Sequence, residues 1–176
     1  ATEHHMPHDD RPFRDRVTHK LPPHLAGWQL PPDWTWGADG VDGEHRHYQE
    51  LVDGLGRSLS LVSAPNPEHE GWLFSEARRL AHMNHPSIPT TYHYWARNPE
   101  SPRGPGYLRR WIPGETVWAQ LERGGTYDLS TTLQFVRNIG SAIAYLHTAG
   151  ATHGAVSGES CWVAPTGRLY LLGWEW

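Results

Sequence analysis

An α+β fold is what the sequence predicts, with an antiparallel sheet lying beside helices. Three observations carry that expectation. Residues 34–64 run as short strand-like segments separated by glycine turns. Residues 130–147 carry apolar side chains at intervals of three and four, the spacing of one helix face. The chain then closes on two short apolar runs either side of Pro165-Thr166-Gly167, the pattern of a small hairpin. At 176 residues the chain is long enough for one domain with a real core.

Residues 1–32 are polar and rich in His and Pro, with no helical or strand period, and read as an extended N-terminal arm. Such an arm becomes ordered by lying on something, its own domain or a partner. Residues 33–112 form the second region. It holds a first strand from Trp34, a turn in the glycines that follow, a strand from His45 to Val52, the turn Asp53-Gly54-Leu55-Gly56, and a strand from Arg57 to Ala64. A helix from Gly71 to Asn84 follows, with Leu73, Ala77 and Leu80, and with them Trp72 and Met83, on its expected buried side and Pro86 stopping it. Tyr107 to Ile112 is the next strand. The third region, 113–176, opens with a short helix over Glu115–Arg123, ended by Gly124-Gly125. Its long helix spans Ser130 to His147. Ser130 is the expected N-cap, Gly150 the stop, and Leu133, Val136, Ile139, Ile143 and Leu146 the expected buried stripe.

Composition excludes several classes. Formal net charge is −4 and the basic residues are scattered, so nucleic acid is not an expected partner. The single cysteine, Cys161, forbids an internal disulfide and sits in an apolar run as a small hydrophobe. No apolar stretch reaches the length of a transmembrane helix, and the first residues lack the apolar core of a signal peptide. An initial Ala fits removal of an initiator Met, so the expected location is cytoplasmic, the periphery of a membrane complex included. His4-His5-x-x-His8 and His45-x-His47 gather imidazoles, but no Cys, Asp or Glu completes a ligand set by spacing, so no metal and no cofactor are expected.

One ordered series of motifs resembles the protein kinase family over roughly residues 34–176. The stretch "AIAYLHTAGATHGAVSGESCWVAPTGRLYLLGWE" is similar to the kinase run from the long helix through the catalytic loop H-R-D-L-x-x-x-N to D-F-G. Here the loop reads His153 to Ser160 and the tripeptide is Gly173-Trp174-Glu175. "SEARRLAHMNHPSIP" resembles the regulatory helix, with Glu76 at its ion-pair glutamate. "YLRRWIPGETV" resembles the hinge, with Trp111 at the edge of the cleft. Gly37, Gly40 and Gly43 stand where the phosphate loop would be, although their spacing departs from G-x-G-x-x-G.

The resemblance implies a kinase-like fold with a sheet-and-helix N-lobe and a truncated, mainly helical C-lobe. It also marks what differs. Ala155 stands at the catalytic aspartate, Ser160 at the metal-binding asparagine and Gly173 at the metal-binding aspartate. The only lysine in the chain is Lys20, so no register of the third strand supplies the phosphate-gripping lysine. Glu76 is therefore expected to be a solvated carboxylate or to contact some arginine. His153 and Glu159 are expected to serve packing and hydrogen bonding.

The expected function is that of a pseudokinase, not an enzyme, acting as a structural or scaffold subunit that binds protein partners in a larger complex, a membrane-associated assembly included. The interface candidates are Trp28, Trp34, Trp36, Trp174 and Trp176. The alternative is a nucleotide- or small-ligand-sensing pseudokinase that regulates a partner through the cleft lined by Gly37, Gly40, Gly43, Glu76 and Trp111.

Overall fold

The structure, a computed structural model, describes residues 21–42, 46–100 and 103–174. The predicted elements appear in their order, and two strands that were not expected join them, at Thr91–Trp95 and at Glu115–Thr116. Strands β1 (Thr35–Asp42), β2 (His47–Val52) and β3 (Ser58–Ser63) precede helix α1 (Glu70–Leu80), and strands β4 (Thr91–Trp95) and β5 (Gly106–Arg110) follow it. A two-residue strand β6 (Glu115–Thr116), the short helix α2 (Val117–Glu122), the long helix α3 (Leu129–Thr148) and the strands β7 (Cys161–Val163) and β8 (Leu169–Leu171) complete the chain. One antiparallel sheet has the order β1-β2-β3-β5-β4 and a second the order β6-β7-β8.

Alternation along the strands gives the large sheet two different faces. Tyr48, Val62, Tyr107 and Arg109 lie on the inner face, where Val62 and Tyr107 join Leu73, Ala77 and Leu80 of α1 in the main core. The same core continues through Phe135, Ile139, Ala142 and Leu146 of α3 to Leu169, Leu171 and Trp174. Leu51, Leu59, Leu61 and Leu108 form the outer face. Residues 21–34 cover it as a strap: Pro23 opens a single 3-10 turn, Pro23–Leu25, and Leu25 and Trp28 are buried on the leucines beneath. Gly106 of β5 lies directly under the Trp28 ring, where a Cβ would come within 2.9 Å of two of its atoms.

Several expectations are corrected. The glycines after Trp36 do not form a turn, because Gly37 and Gly40 lie inside β1. The Glu50 side chain from β2 lies across Gly37, where a Cβ would come within 2.5 Å of it, and the pairing shifts register between Trp36 and Gly40. Gln49 Nε2 bridges that irregularity by donating to the Gly37 carbonyl at 3.2 Å. Gly43 lies outside the described residues.

Helix α3 starts one residue earlier than expected, because Asp128 and not Ser130 is its N-cap: the Asp128 carboxylate accepts the Thr131 N–H at 2.7 Å. Its expected stripe also divides. Ile139 and Leu146 are buried and Ile143 is half-buried, whereas Leu133 and Val136 face outward. The buried face is instead Phe135, Ile139, Ala142 and Leu146. Two interface candidates belong to the interior. Trp28 is buried on the underside of the strap, and Trp174 is 1% exposed in the main core. Trp34 and Trp36 are half-buried and pack against the outer-face cluster, and Trp176 lies outside the described residues.

Candidate functional site, the cleft between sheet and hairpin

Three segments meet where the inner face of the sheet approaches the β7-β8 hairpin. They are the start of β2, the middle of α1, and the Gly173-Trp174 step after β8. Arg46, just ahead of β2, joins all three. Its Nε lies 2.7 Å from Glu76 Oε2 on α1, and its Nη2 donates to the Trp174 carbonyl at 2.7 Å. Tyr107 of β5 donates its hydroxyl to the other Glu76 oxygen at 2.9 Å. Glu76 is 1% exposed, so the expectation of a solvated carboxylate is corrected and that of an arginine contact describes what is seen. Burial, with the Glu76 charge second, pushes the Tyr107 phenol well above its ordinary range, so it stays a hydrogen-bond donor.

The segment that resembles a catalytic loop is held by its own polar groups. His153 Nε2 lies 2.8 Å from the Leu172 carbonyl and donates to it, while Nδ1 accepts the Ala155 N–H at 3.3 Å. Burial lowers the imidazole's proton affinity, opposed by the Leu172 contact, which fits a neutral ring in that role. The Trp174 ring packs on His153 with centroids 4.5 Å apart. Ser160 Oγ accepts the Ser157 N–H at 2.8 Å and donates to the Ser157 carbonyl at 3.1 Å, so its hydroxyl closes a local turn. Gly173 has φ +66 beside Ser160, and a Cβ there would meet Ser160 Cβ at 3.3 Å. Ala155 and Glu159 are exposed. Burial raises the Cys161 thiol's pKa, so it behaves as a small apolar side chain.

The structure brings Glu76, Ser160 and Gly173 to this region and leaves Trp111 half-buried just past β5. It adds residues that the sequence did not single out, namely Arg46, Tyr107, Arg109 and Ser60. Arg109 of β5 reaches over β3 to the Tyr48 ring of β2, its Cζ 5.0 Å from the centroid. Nothing in the spacing of either arginine flags it, because strand parity and the neighbouring helix decide where each points. Among the described residues no group of three or more His, Cys, Asp or Glu could hold a metal, and no helix is long and apolar enough to cross a membrane.

Comparison with known proteins agrees with this fold. The apo form of PpkA-294 superposes with a TM-score of 0.71 at 16% identity, covering 89% of this chain and 62% of that one. Rad53 residues 1–466 in complex with AMP-PNP gives 0.68 at 16%, covering 81% and 38%. The chain has a protein kinase-like fold. In sequence it is 29% identical over 129 residues to the serine/threonine-protein kinase PknA of Mycobacterium tuberculosis and of Mycobacterium bovis. It is 28% identical over 98 residues to the serine/threonine-protein kinase YPK3 of Saccharomyces cerevisiae. The chain spans 30% of the length of PknA and 18% of YPK3. No protein-family model matches it.

These similarities correct the expectation that the kinase-like chain is not an enzyme, since the relatives carry the name of protein kinases. That expectation rested on Ala155, Ser160 and Gly173 and on the absence of lysine from the third strand. The structure shows that a cation does stand against Glu76, supplied as Arg46 from the start of another strand.

Proposed function

We propose that this kinase-like fold works as a protein-docking scaffold, a structural subunit that binds other proteins in a larger assembly. One observation carries the reading. Helix α3 has a second apolar line, turned about 120° from its buried face at 100° per residue. Leu129, Leu133 and Val136 on this line are 74%, 57% and 66% exposed. Gly140 continues the line with open space where a Cβ would stand, so the backbone of a packing element can approach closely there. Large apolar side chains aligned at helical spacing form a patch of the kind that marks protein interfaces. The partner that fits is a protein presenting an apolar helical face, and the proposed setting is cytoplasmic, the polar face of a membrane-associated complex included.

The test compares the full chain with Leu133→Asp/Val136→Asp by size-exclusion chromatography with light scattering, alone and after extraction from its native cells. Wild type is expected to enter a species of defined larger mass that the variant does not form, with the variant's Tm unchanged because both side chains are exposed. Equal masses for the two proteins at every concentration, with and without extract, would sink the reading.

A second reading is that the cleft senses a small ligand. The state of Arg109 favours it.

A further inference from the structure

We propose that Arg109 and Ser60 form a binding site for a small oxyanion, a carboxylate or phosphate group, on the floor of the cleft. This deepens the ligand-sensing reading and rests on it.

The argument begins with a buried charge. Arg109 is 6% exposed, and among the described residues it makes no ion pair or hydrogen bond, only its contact with the Tyr48 ring. Its Nε is fully shielded and has no acceptor. Guanidinium is charged at any working pH, so it cannot escape by losing a proton. Burying such a charge without a counter-ion is costly, and native proteins pair it.

Nearby carboxylates are already engaged. Glu76, which shares Tyr107 as a neighbour with Arg109, is held by Arg46. Glu50, which pairs with Ser60 across β2 and β3, accepts the Ser58 hydroxyl at 2.7 Å. Glu76 thus already has its guanidinium in Arg46, and among the described residues Arg109 has no carboxylate in ion-pair contact.

A second orphan stands beside the first. Ser60 is 1% exposed and its hydroxyl has no partner. Ser60 and Arg109 are directly paired across β3 and β5, so both side chains lie on the same inner face. Adjacent strands are about 4.8 Å apart, and the Arg109 side chain must pass over β3 to reach Tyr48 on β2. Its Nε therefore travels above the strand that carries Ser60. A guanidinium N–H and a hydroxyl on one surface make a donor pair, and an oxyanion is the chemical group that accepts from both.

The experiment uses the full chain in a chloride buffer at constant ionic strength, titrated with inorganic phosphate or with acetate and read by Tm and by calorimetric titration. Either oxyanion should raise Tm with saturation. Ser60→Ala, which removes only one oxygen, should weaken that binding roughly tenfold or more, and Arg109→Gln should abolish it. Arg109→Met should unfold no more easily than wild type in chloride alone, because it removes a charge that lacks a partner.

No saturable response to phosphate or acetate overturns the proposal, as does a response unchanged in Ser60→Ala and Arg109→Gln. Adenosine, which carries no oxyanion, is titrated in parallel. If it alone stabilises the protein, the cleft senses a ligand but this site is wrong. If neither adenosine nor an oxyanion acts, the ligand-sensing reading falls with it.

Discussion

Replacing Arg46 with Met tests whether the three-way junction beneath the sheet holds the two halves of the fold together. The substitution keeps much of the apolar stem and removes the guanidinium. Glu76, 1% exposed on α1, then keeps the Tyr107 hydroxyl but loses its cation, and the Trp174 carbonyl loses a donor. Breaking a buried pair by removing one partner costs about 3–5 kcal/mol, because the remaining charge is stranded away from water. Against a domain stability of about 5–15 kcal/mol, that is a large fraction of the total. The double variant Arg46→Met/Glu76→Gln strands no charge and retains an acceptor for Tyr107, so it should recover most of the loss.

The assay is urea unfolding followed by tryptophan fluorescence, with all four corners of the double-mutant cycle measured. Amide exchange read at residues 173–174 should quicken in the single variant if the Trp174 carbonyl contact matters. The reasoning is refuted if Arg46→Met costs less than about 1 kcal/mol, or if the double variant is as unstable as the two single losses added together.

Three further perturbations act on the strap. Trp28→Ala should cost about 3–5 kcal/mol and speed amide exchange across residues 21–34, while Gly106→Ala, which pushes a methyl into the Trp28 ring, should cost about 1–3 kcal/mol, both by urea unfolding. His24, with Nε2 3.0 Å from Ser63 Oγ, has its pKa lowered to about 4, first by burial and then by the neighbouring His47, with Asp42 opposing. Because the docked form prefers the neutral ring, strap docking is at full strength above pH 6.5 and weakens as pH falls from there toward 4. Amide exchange of residues 21–34, corrected for intrinsic rates, should therefore rise at pH 5 relative to pH 7.5, and His24→Asn should flatten that difference.

The elements that were legible in the sequence are those whose local pattern and tertiary role agree. Strand β2 alternates in burial and β3 opens on the alternating Ser58-Leu59-Ser60-Leu61, around a turn in which Asp53 accepts the N–H groups of Leu55 and Arg57, so the hairpin is written locally. Strand β4 is not legible in the sequence, because Thr91–Trp95 is an edge strand of exposed and half-buried residues and carries no clear alternation. In α3 the apolar spacing fixed helix and length, but it could not tell which of two apolar lines faces the core. A stripe at 129, 133 and 136 and one at 135, 139, 142 and 146 satisfy the same period, and only the position of α1 and the hairpin selects the second.

The candidate site shows the same limit in sharper form. The kinase resemblance places a lysine on the third strand, and its absence leaves Glu76 without that partner. A buried carboxylate, however, recruits whichever cation three-dimensional packing brings within reach, and Arg46 does so from the start of a different strand. Arg109 enters by strand parity alone: at position 108 or 110 its charge would lie on the opposite face of the sheet, but at 109 it points inward over Ser60 and Tyr48. Charge in this cleft is thus a property of register and fold rather than of motif. A slip of β5 by one residue that set Leu108 in the place of Arg109 would remove the oxyanion site.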